Sequence, residues 1–416
     1  VSRLRYLTRT LVGPWGAVVV AGLEIANLMQ RGRPWRGELV WTVDWLGIVF
    51  FAAGPVLAGL SAVDAARITR TESLPVLMVS PQPWRAYLHA VAWTAGPASI
   101  LHLLAFAAAI AMGWPEVASS SVGWGMVGLA LLAQVSQFWW YAALGSVLGR
   151  FLSPVAAGIM GAVGGLGAFY LLGSGEGFEL LAVGGSTVSR LGLTWNGGYL
   201  GLQTTLLIGT SMVMIVVIGG MRGRRPRRNG VVAMGILMAV VVAMLFGPQR
   251  RILAMEPDPP TECFWGDPVV CVYPEHGRIA DTVYAAVYEA VDAARQNGYG
   301  FLVSEYVHEV SRVYFPQDAD TKGVGTDQLL SGQEWDDFDL IWDLVTPWHC
   351  PEIRDVTAPS DIYFESMEAL VFTWLTLLDE PADPQIADLP EDLLEERRLD
   401  PARARETKAS LDTCDF

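Results

Sequence analysis

Hydrophobic positions are not spread evenly along this chain of 416 residues. They gather into long apolar runs as far as about residue 250, and afterwards alternate with polar positions over short distances. Seven runs stand out, at 11–29, 41–62, 87–114, 124–148, 155–173, 199–220 and 231–247. An apolar stretch of about 20 residues spans the hydrocarbon core as a helix, because a helix pairs its own backbone groups where no water can. The pattern therefore predicts a polytopic α-helical membrane protein with about seven transmembrane helices. Residues 174–198 are too many for a tight turn, and their moderately apolar piece 178–188 predicts a short helix at, or dipping into, the interface.

Beyond the runs the periodicity shortens, and a mixed α/β domain is predicted. Residues 268–273 and 301–310 suit strands. Residues 278–297 suit an amphipathic helix ending before Gly298, and 361–378 and 389–410 suit two more, the last highly charged and solvent-facing. The chain divides into a six-helix domain at 1–229, a seventh helix at 230–250 and an acidic carboxyl-terminal domain at 251–416.

Charge separates the same parts. Residues 1–255 hold 18 Arg, no Lys and 8 acids, a net of +10; residues 256–416 hold 10 basic and 35 acidic side chains, a net of −25. So large an asymmetry marks two physical environments. The acidic part argues against a nucleic-acid partner, since phosphate would be repelled. Arginines in short loops set orientation. If seven helices alternate, Arg3, Arg5, Arg9, Arg67, Arg70, Arg85, Arg150 and the run from Arg222 to Arg228 fall on one side. Arg31, Arg33 and Arg36 fall on the other, with Arg190, Arg250 and Arg251 as minor dissent. Twelve against three places the amino terminus in the cytoplasm, and an odd helix count places residues 248–416 outside a bacterial cell membrane. The first run ends at Asn27, Met29 and Gln30 without a small-residue cleavage site, so it is expected to remain as an anchor in lipid.

All four cysteines, Cys263, Cys271, Cys350 and Cys414, lie in the acidic part. An even number confined to one domain suits two disulfides in an oxidising compartment. Of three connectivities, Cys263 with Cys271 and Cys350 with Cys414 closes the smallest loop. Free thiols in a cytosolic domain are the alternative.

No G-x-x-x-x-G-K-[ST] phosphate loop occurs, and Lys322 and Lys408 stand in no such context. ATP-driven work would need a motor on another chain. Within the first run, Glu24 and Asn27 lie one turn apart, and an intramembrane carboxylate is costly enough to suggest a substrate path or a cation site. A short reach to water from the outer helix end is the competing explanation. Asp44 is expected to pair with nearby arginines, and His89 and His102 to be satisfied core histidines. The glycine pair Gly161 and Gly165 permits close helix approach, within the chain or between copies. His308-Glu309 begins a zinc-protease motif, but position 312 is Arg rather than a second His, so no metal site or catalytic residue is assigned.

The loop after the second run reads Thr71-Glu72-Ser73-Leu74 and then Ser80-Pro81-Gln82-Pro83-Trp84-Arg85-Ala86-Tyr87. With six helices, an inside amino terminus and an outer segment between helices five and six, residues 1–220 resemble a type-2 ABC transporter permease. Permeases of this kind in actinobacteria often carry a further helix and an extracytoplasmic domain, as the segment after Asn229 suggests. The resemblance implies that Glu72, Ser80, Pro81 and Arg85 lie where a partner ATPase is coupled. It implies a second permease half, identical or not, and places ATP and magnesium on the ATPase, leaving this chain without a cofactor. About ten residues precede the first run, little room for the family's amphipathic interface helix. A plain basic loop anchoring the third helix at the headgroups is the alternative for this segment. The expected function is thus the permease subunit of an exporter, with unidentified cargo and no enzymatic activity of its own. A membrane-anchored extracytoplasmic sensor or binding protein is the alternative. A membrane-based hydrolase is opposed by the missing G-x-S-x-G and zinc motifs.

Overall fold

The computed structural model describes residues 11–30, 33–70, 84–114, 116–119, 122–173, 178–182, 184–220, 235, 238–240, 242–243, 245–248, 250–254, 259–354, 361–378 and 398–414. The apolar part forms α1 (Trp15–Leu28), α2 (Leu39–Leu46), α3 (Phe50–Arg70), α4 (Trp84–Gly113), α5 (Trp124–Gly149), α6 (Pro154–Leu172) and α7 (Gly197–Gly220). A 3-10 turn at Gly47–Val49 joins α2 and α3 into one span, Leu39–Ile68. Among the described residues five helices are long and apolar enough to cross a membrane: that span, α4, α5, α6 and Gly197–Val217 of α7. Helices of this length and composition suggest membrane association.

Two runs differ from expectation. α1 has 14 residues, fewer than its run. The Asp64 carboxylate of α3 accepts the N–H groups of Val12 (2.9 Å) and Gly13 (2.7 Å), so the chain ahead of Trp15 is held in a turn. At 1.5 Å per residue α1 covers about 21 Å, short of the hydrocarbon core. In the seventh run Gly235 and residues 238–240, 242–243 and 245–246 are helical, Gly247 forms a bend, and the remainder lies outside the described residues.

Close packing of the bundle is built on glycine. Gly145 and Gly149 of α5 lie directly on the carbonyls of Ala58 and Ala62 in α3. A Cβ at Gly161 of α6 would sit 2.8 Å from the Ala58 carbonyl oxygen, and one at Gly165 would sit 2.9 Å from Pro55 Cα. The glycine pair in the fifth run is therefore spent inside the chain, against α3. Ser61 of α3 adds a polar link, donating to the Ala142 carbonyl (2.7 Å) with Ser146 Oγ at 2.8 Å.

The expected helix at 178–188 is absent among the described residues of that stretch, which instead runs as an irregular, partly buried strap. Buried carbonyls need partners, and amide side chains from the helices supply them. Gln137 donates to Ala182 O (3.0 Å), Gln203 to Leu180 O (3.1 Å) and the Tyr199 hydroxyl to Glu179 O (3.0 Å). Helix formation is unnecessary where neighbours satisfy the backbone. The strap leads into β1 (Leu193–Trp195), which pairs antiparallel with β2 (Ile252–Ala254).

The carboxyl-terminal part holds β3 (Glu262–Phe264), β4 (Val269–Val272), β5 (Tyr306–Glu309) and β6 (Thr321–Val324) in a sheet of that order. β3 and β4 are antiparallel and the other pairs parallel. The helix α8 (Ala280–Gln296) connects β4 to β5, and α9 (Asp337–Val345), α10 (Asp361–Leu375) and α11 (Pro401–Asp412) complete the layer. Its core joins Val270 and Val272 to Val283 and Val287 of α8, Ile341 of α9 and Met367 and Trp374 of α10.

Disulfides join Cys263 to Cys271, facing residues of the β3–β4 hairpin, and Cys350 to Cys414. The second closes a separation of 64 residues, worth about 4 kcal/mol on chain-entropy grounds. Both lysines converge on Asp412, Lys322 from β6 at 3.2 Å and Lys408 from one turn earlier in α11. The terminal helix is thus fastened twice.

The apolar core does not stop between the two parts. Trp35, Trp41, Trp45, Ala105 and Ala109 belong to the same cluster as the α8 and α10 side chains. The loops after α1, α4 and α6 meet there, as Arg36 to Glu116 (3.5 Å) and Ser189 to Glu38 (2.7 Å) show. These connections share the side of the carboxyl-terminal domain.

Gly145→Leu tests the packing: its side chain would strike the α3 backbone. We expect a loss of at least about 2 kcal/mol and a collapse of the monodisperse fraction in detergent, whereas Gly123→Leu, with open space around it, should be tolerated.

Candidate functional site

Of the residues singled out in the sequence, Glu72, Ser80 and Pro81 lie outside the described residues. Arg85 stands in the first turn of α4, its guanidinium 5.8 Å from the Trp84 ring centre. Glu24 and Asn27 are buried on one face of α1, but they are not joined to each other. Asn27 Nδ2 donates to Trp45 O (3.0 Å) and the Trp45 indole returns a bond to Asn27 O (3.3 Å), which ties α1 to α2. Glu24 Oε1 instead meets His102 Nδ1 of α4 at 2.5 Å, and His102 Nε2 meets Gln134 Oε1 of α5 at 2.9 Å. His102 is thus a satisfied core histidine, as its sequence setting suggested, and also the partner of Glu24, which was not foreseen.

Asp44 behaves as expected of an acid near arginines. It lies 3.7 Å from Arg190 and 3.8 Å from Arg251, and it also accepts the N–H groups of Gly185 and Ser186. Three of the arginines that dissented in the orientation count, Arg36, Arg190 and Arg251, are therefore partners of acids at the junction.

The most elaborate polar constellation lies where the two parts meet. Glu38 ends the loop after α1. Gly37 precedes it with φ +99°, and a Cβ there would strike the Glu275 carbonyl, so the close approach requires glycine. From the other side come His276, in the 3-10 turn Pro274–Ile279, Glu309 at the end of β5, and Thr326 after β6. His276 Nε2 lies 2.9 Å from Glu38 Oε1 and Nδ1 lies 2.5 Å from Glu309 Oε1. Glu38 also accepts from Ser189 Oγ and from Arg190 N (2.8 Å), and Glu309 from Thr326 Oγ1 and from Tyr273 N (2.8 Å). The members are essentially buried, with His276 1% exposed and Glu309 0%.

This donor count fixes the protonation state. Each carboxylate accepts three hydrogen bonds. His276 faces an acceptor on both nitrogens and so must donate from both, as an imidazolium. Burial works against the charged ring, but the Glu309 and Glu38 carboxylates outweigh it and push its pKa up to about 10. Burial also raises the carboxyls of neighbouring Glu275 and Asp327. The assembly is a charged clamp rather than a reaction centre: every polar atom that could react is already engaged.

Among the described residues, the pair that opens the zinc-protease motif does not share a face. His308 and Glu309 are consecutive on β5 and point to opposite faces; His308 Nδ1 meets the Tyr314 hydroxyl at 2.7 Å while Glu309 joins the clamp. His349, Cys350 and Cys414 offer ligand atoms within 4.8 Å of one another, but the two sulfurs are bonded in the disulfide. The clamp escaped the sequence reading because Glu38 and His276 are 238 positions apart. The available signal was a carboxylate opening an otherwise apolar span.

The folded pKa of His276 is raised above the ordinary 6.5, so its stabilisation is complete below about 6.5 and lost as pH rises through about 10. His276→Gln should cost about 3–5 kcal/mol at neutral pH by stranding two buried carboxylates. It should also abolish the alkaline decline in melting temperature across that window. Parallel declines in wild type and variant would contradict the assignment.

Comparison with protein-family models, with curated proteins and with solved structures gives no match, so the chemistry of the chain itself carries the functional reading.

Proposed function

We propose that this chain is the membrane permease subunit of a bacterial ATP-binding-cassette exporter, driven by a separate ATPase chain and working with a second permease half. The observation that carries the reading is the segregation of its connections. The loops after α1, α4 and α6 gather beneath the carboxyl-terminal domain, where their arginines pair with acids. At the opposite helix ends stand Arg67 and Arg70 of α3, Arg85 of α4 and Arg150 after α5, and in the sequence the run from Arg222 to Arg228 follows α7. A basic face of that kind marks the cytoplasmic side, where an ATPase would grip the segment containing Glu72, Ser80, Pro81 and Arg85. The carboxyl-terminal domain is then extracytoplasmic, a compartment suited to its two disulfides.

The same geometry supports a seventh crossing as part of this reading. α7 runs 24 residues away from β1, about 36 Å, yet β2 pairs with β1. The chain between them must return across the same thickness, and the apolar run 231–247 is suited to do so. The alternative, a membrane-anchored sensor or binding protein, is favoured by the clamp, which couples the outer domain to helix α2.

The test is purification of the tagged full chain from its native host in mild detergent, with identification of its companions and an ATPase assay. A stoichiometric P-loop protein, with turnover reduced by Glu72→Ala or Arg85→Ala, is the expected result. A clean preparation without an ATPase would overturn the exporter reading in favour of the sensor.

A further inference from the structure

We infer that Glu24 and His102 form a proton-binding site among the membrane helices, and that the bound proton holds α1 against α4. The inference is independent of the exporter reading and starts from an amide. Gln134 Nε2 donates to the Val43 carbonyl at 2.8 Å, which fixes the orientation of that amide, because the reverse would set two acceptor oxygens face to face. Gln134 Oε1 is therefore the atom that meets His102 Nε2, and Nε2 must carry a hydrogen. That leaves Nδ1 facing Glu24 Oε1 at 2.5 Å. A contact this short between two potential acceptors requires one further proton between them. It can be written on either atom: a carboxylic acid beside neutral imidazole, or a carboxylate beside imidazolium. In both cases the pair is neutral.

Release sends this proton to water. It leaves an ionised Glu24 beside an imidazole whose Nδ1 lone pair points at it, and the net charge falls from zero to minus one. Phe50 and Phe138 pack against the His102 ring at 5.4 and 5.5 Å, and Glu24 is 2% exposed. An uncompensated charge in such surroundings is strongly disfavoured. The second carboxylate oxygen, Oε2, is already buried without a hydrogen-bond partner among the described residues, so no neighbour stands ready to stabilise the anion. Deprotonation therefore has to accompany separation of α1 from α4 and entry of water.

Among the described residues of α1 to α5, nothing else is placed to take over the charge. The other acids are Asp44 of α2, engaged with Gly185, Ser186 and two arginines, and Asp64 of α3, engaged with Val12 and Gly13. Arg67 of α3, Arg85, Tyr87 and His89 of α4, and Tyr141 of α5 are the remaining titratable groups with described side chains, and none bonds to the pair. The helix α1 carries no titratable residue besides Glu24.

The test uses the full chain in lipid nanodiscs with 15N-labelled histidine, His102 being assigned from the signals that His102→Gln removes. We expect Nε2 to be protonated and Nδ1 to share a proton at neutral pH, with the Nδ1 signal shifting as the pH is made alkaline. Amide exchange of residues 15–28, corrected for its intrinsic pH dependence, should rise roughly tenfold per pH unit beyond release. Glu24→Gln places an amide donor opposite Nδ1 and removes the titration, so the exchange rise should vanish in that variant. If Glu24→Gln does not fold, His102→Gln should show the same flat profile. The alkaline loss of the His276 clamp is common to wild type and both variants, so it cannot produce the difference. His102 signals that stay constant at every pH, or a His102 protonated on Nδ1 and bare on Nε2, would overturn the inference.

Discussion

An imidazolium held between two buried carboxylates is the interaction on which the rest of this architecture leans. Glu38 belongs to the apolar, net-positive part of the chain, and Glu309 to the sheet of the acidic part. Buried together without His276 they would repel each other, and neither could bear desolvation alone. With His276 donating to both, each becomes the endpoint of three hydrogen bonds. The partners are spread over the loop after α1, the strap before α7, the 3-10 turn after β4, and the ends of β5 and β6. One polar knot therefore sets the register of five segments at once. Around it the tryptophan cluster of Trp35, Trp41 and Trp45 continues the core of the carboxyl-terminal domain into the helices, supplying the apolar burial that a charged clamp does not.

The same economy runs through the helical part. Polar side chains there serve mainly as substitutes for missing backbone partners. Asp64 closes the start of α1, Asp44 receives two N–H groups of the strap, and Gln137 and Gln203 satisfy its carbonyls. Glu24 departs from this rule. It meets a titratable ring instead of the backbone, and half of its carboxylate finds no partner. Among the described residues of the helices, its contact with His102 is a closure that depends on a proton.

The apolar runs were legible because lipid-spanning helices impose a length and a composition: five of the seven reappear with boundaries shifted by a few residues. The two shortest errors had physical causes outside the local pattern. α1 is trimmed by Asp64, a residue about 50 positions away. The stretch 178–188 looked helical because it is moderately apolar, yet its backbone is satisfied by side chains of α5 and α7, so apolarity there reports burial rather than helix. The cysteine pairing agreed with the smallest-loop argument, helped by the hairpin that sets Cys263 opposite Cys271. Glu24 and Asp44 announced themselves as acids in apolar surroundings. His276 did not, since a histidine in an acidic domain carries no signal until its partner, 238 residues earlier, is folded against it. Arg36, Arg190 and Arg251, which weakened the orientation count, make sense in the same way, as counter-ions to acids whose positions no linear reading supplies.

The measurement that bears most directly on this account is a double-mutant cycle between Glu38→Gln and His276→Gln, read as unfolding free energy of the detergent-purified full chain. If the two parts are locked through this pair, the substitutions will be strongly non-additive, with a coupling of about 1.5 kcal/mol or more. Additivity within about 0.5 kcal/mol would mean that Glu38 and His276 act separately and that the junction is held by its apolar cluster alone.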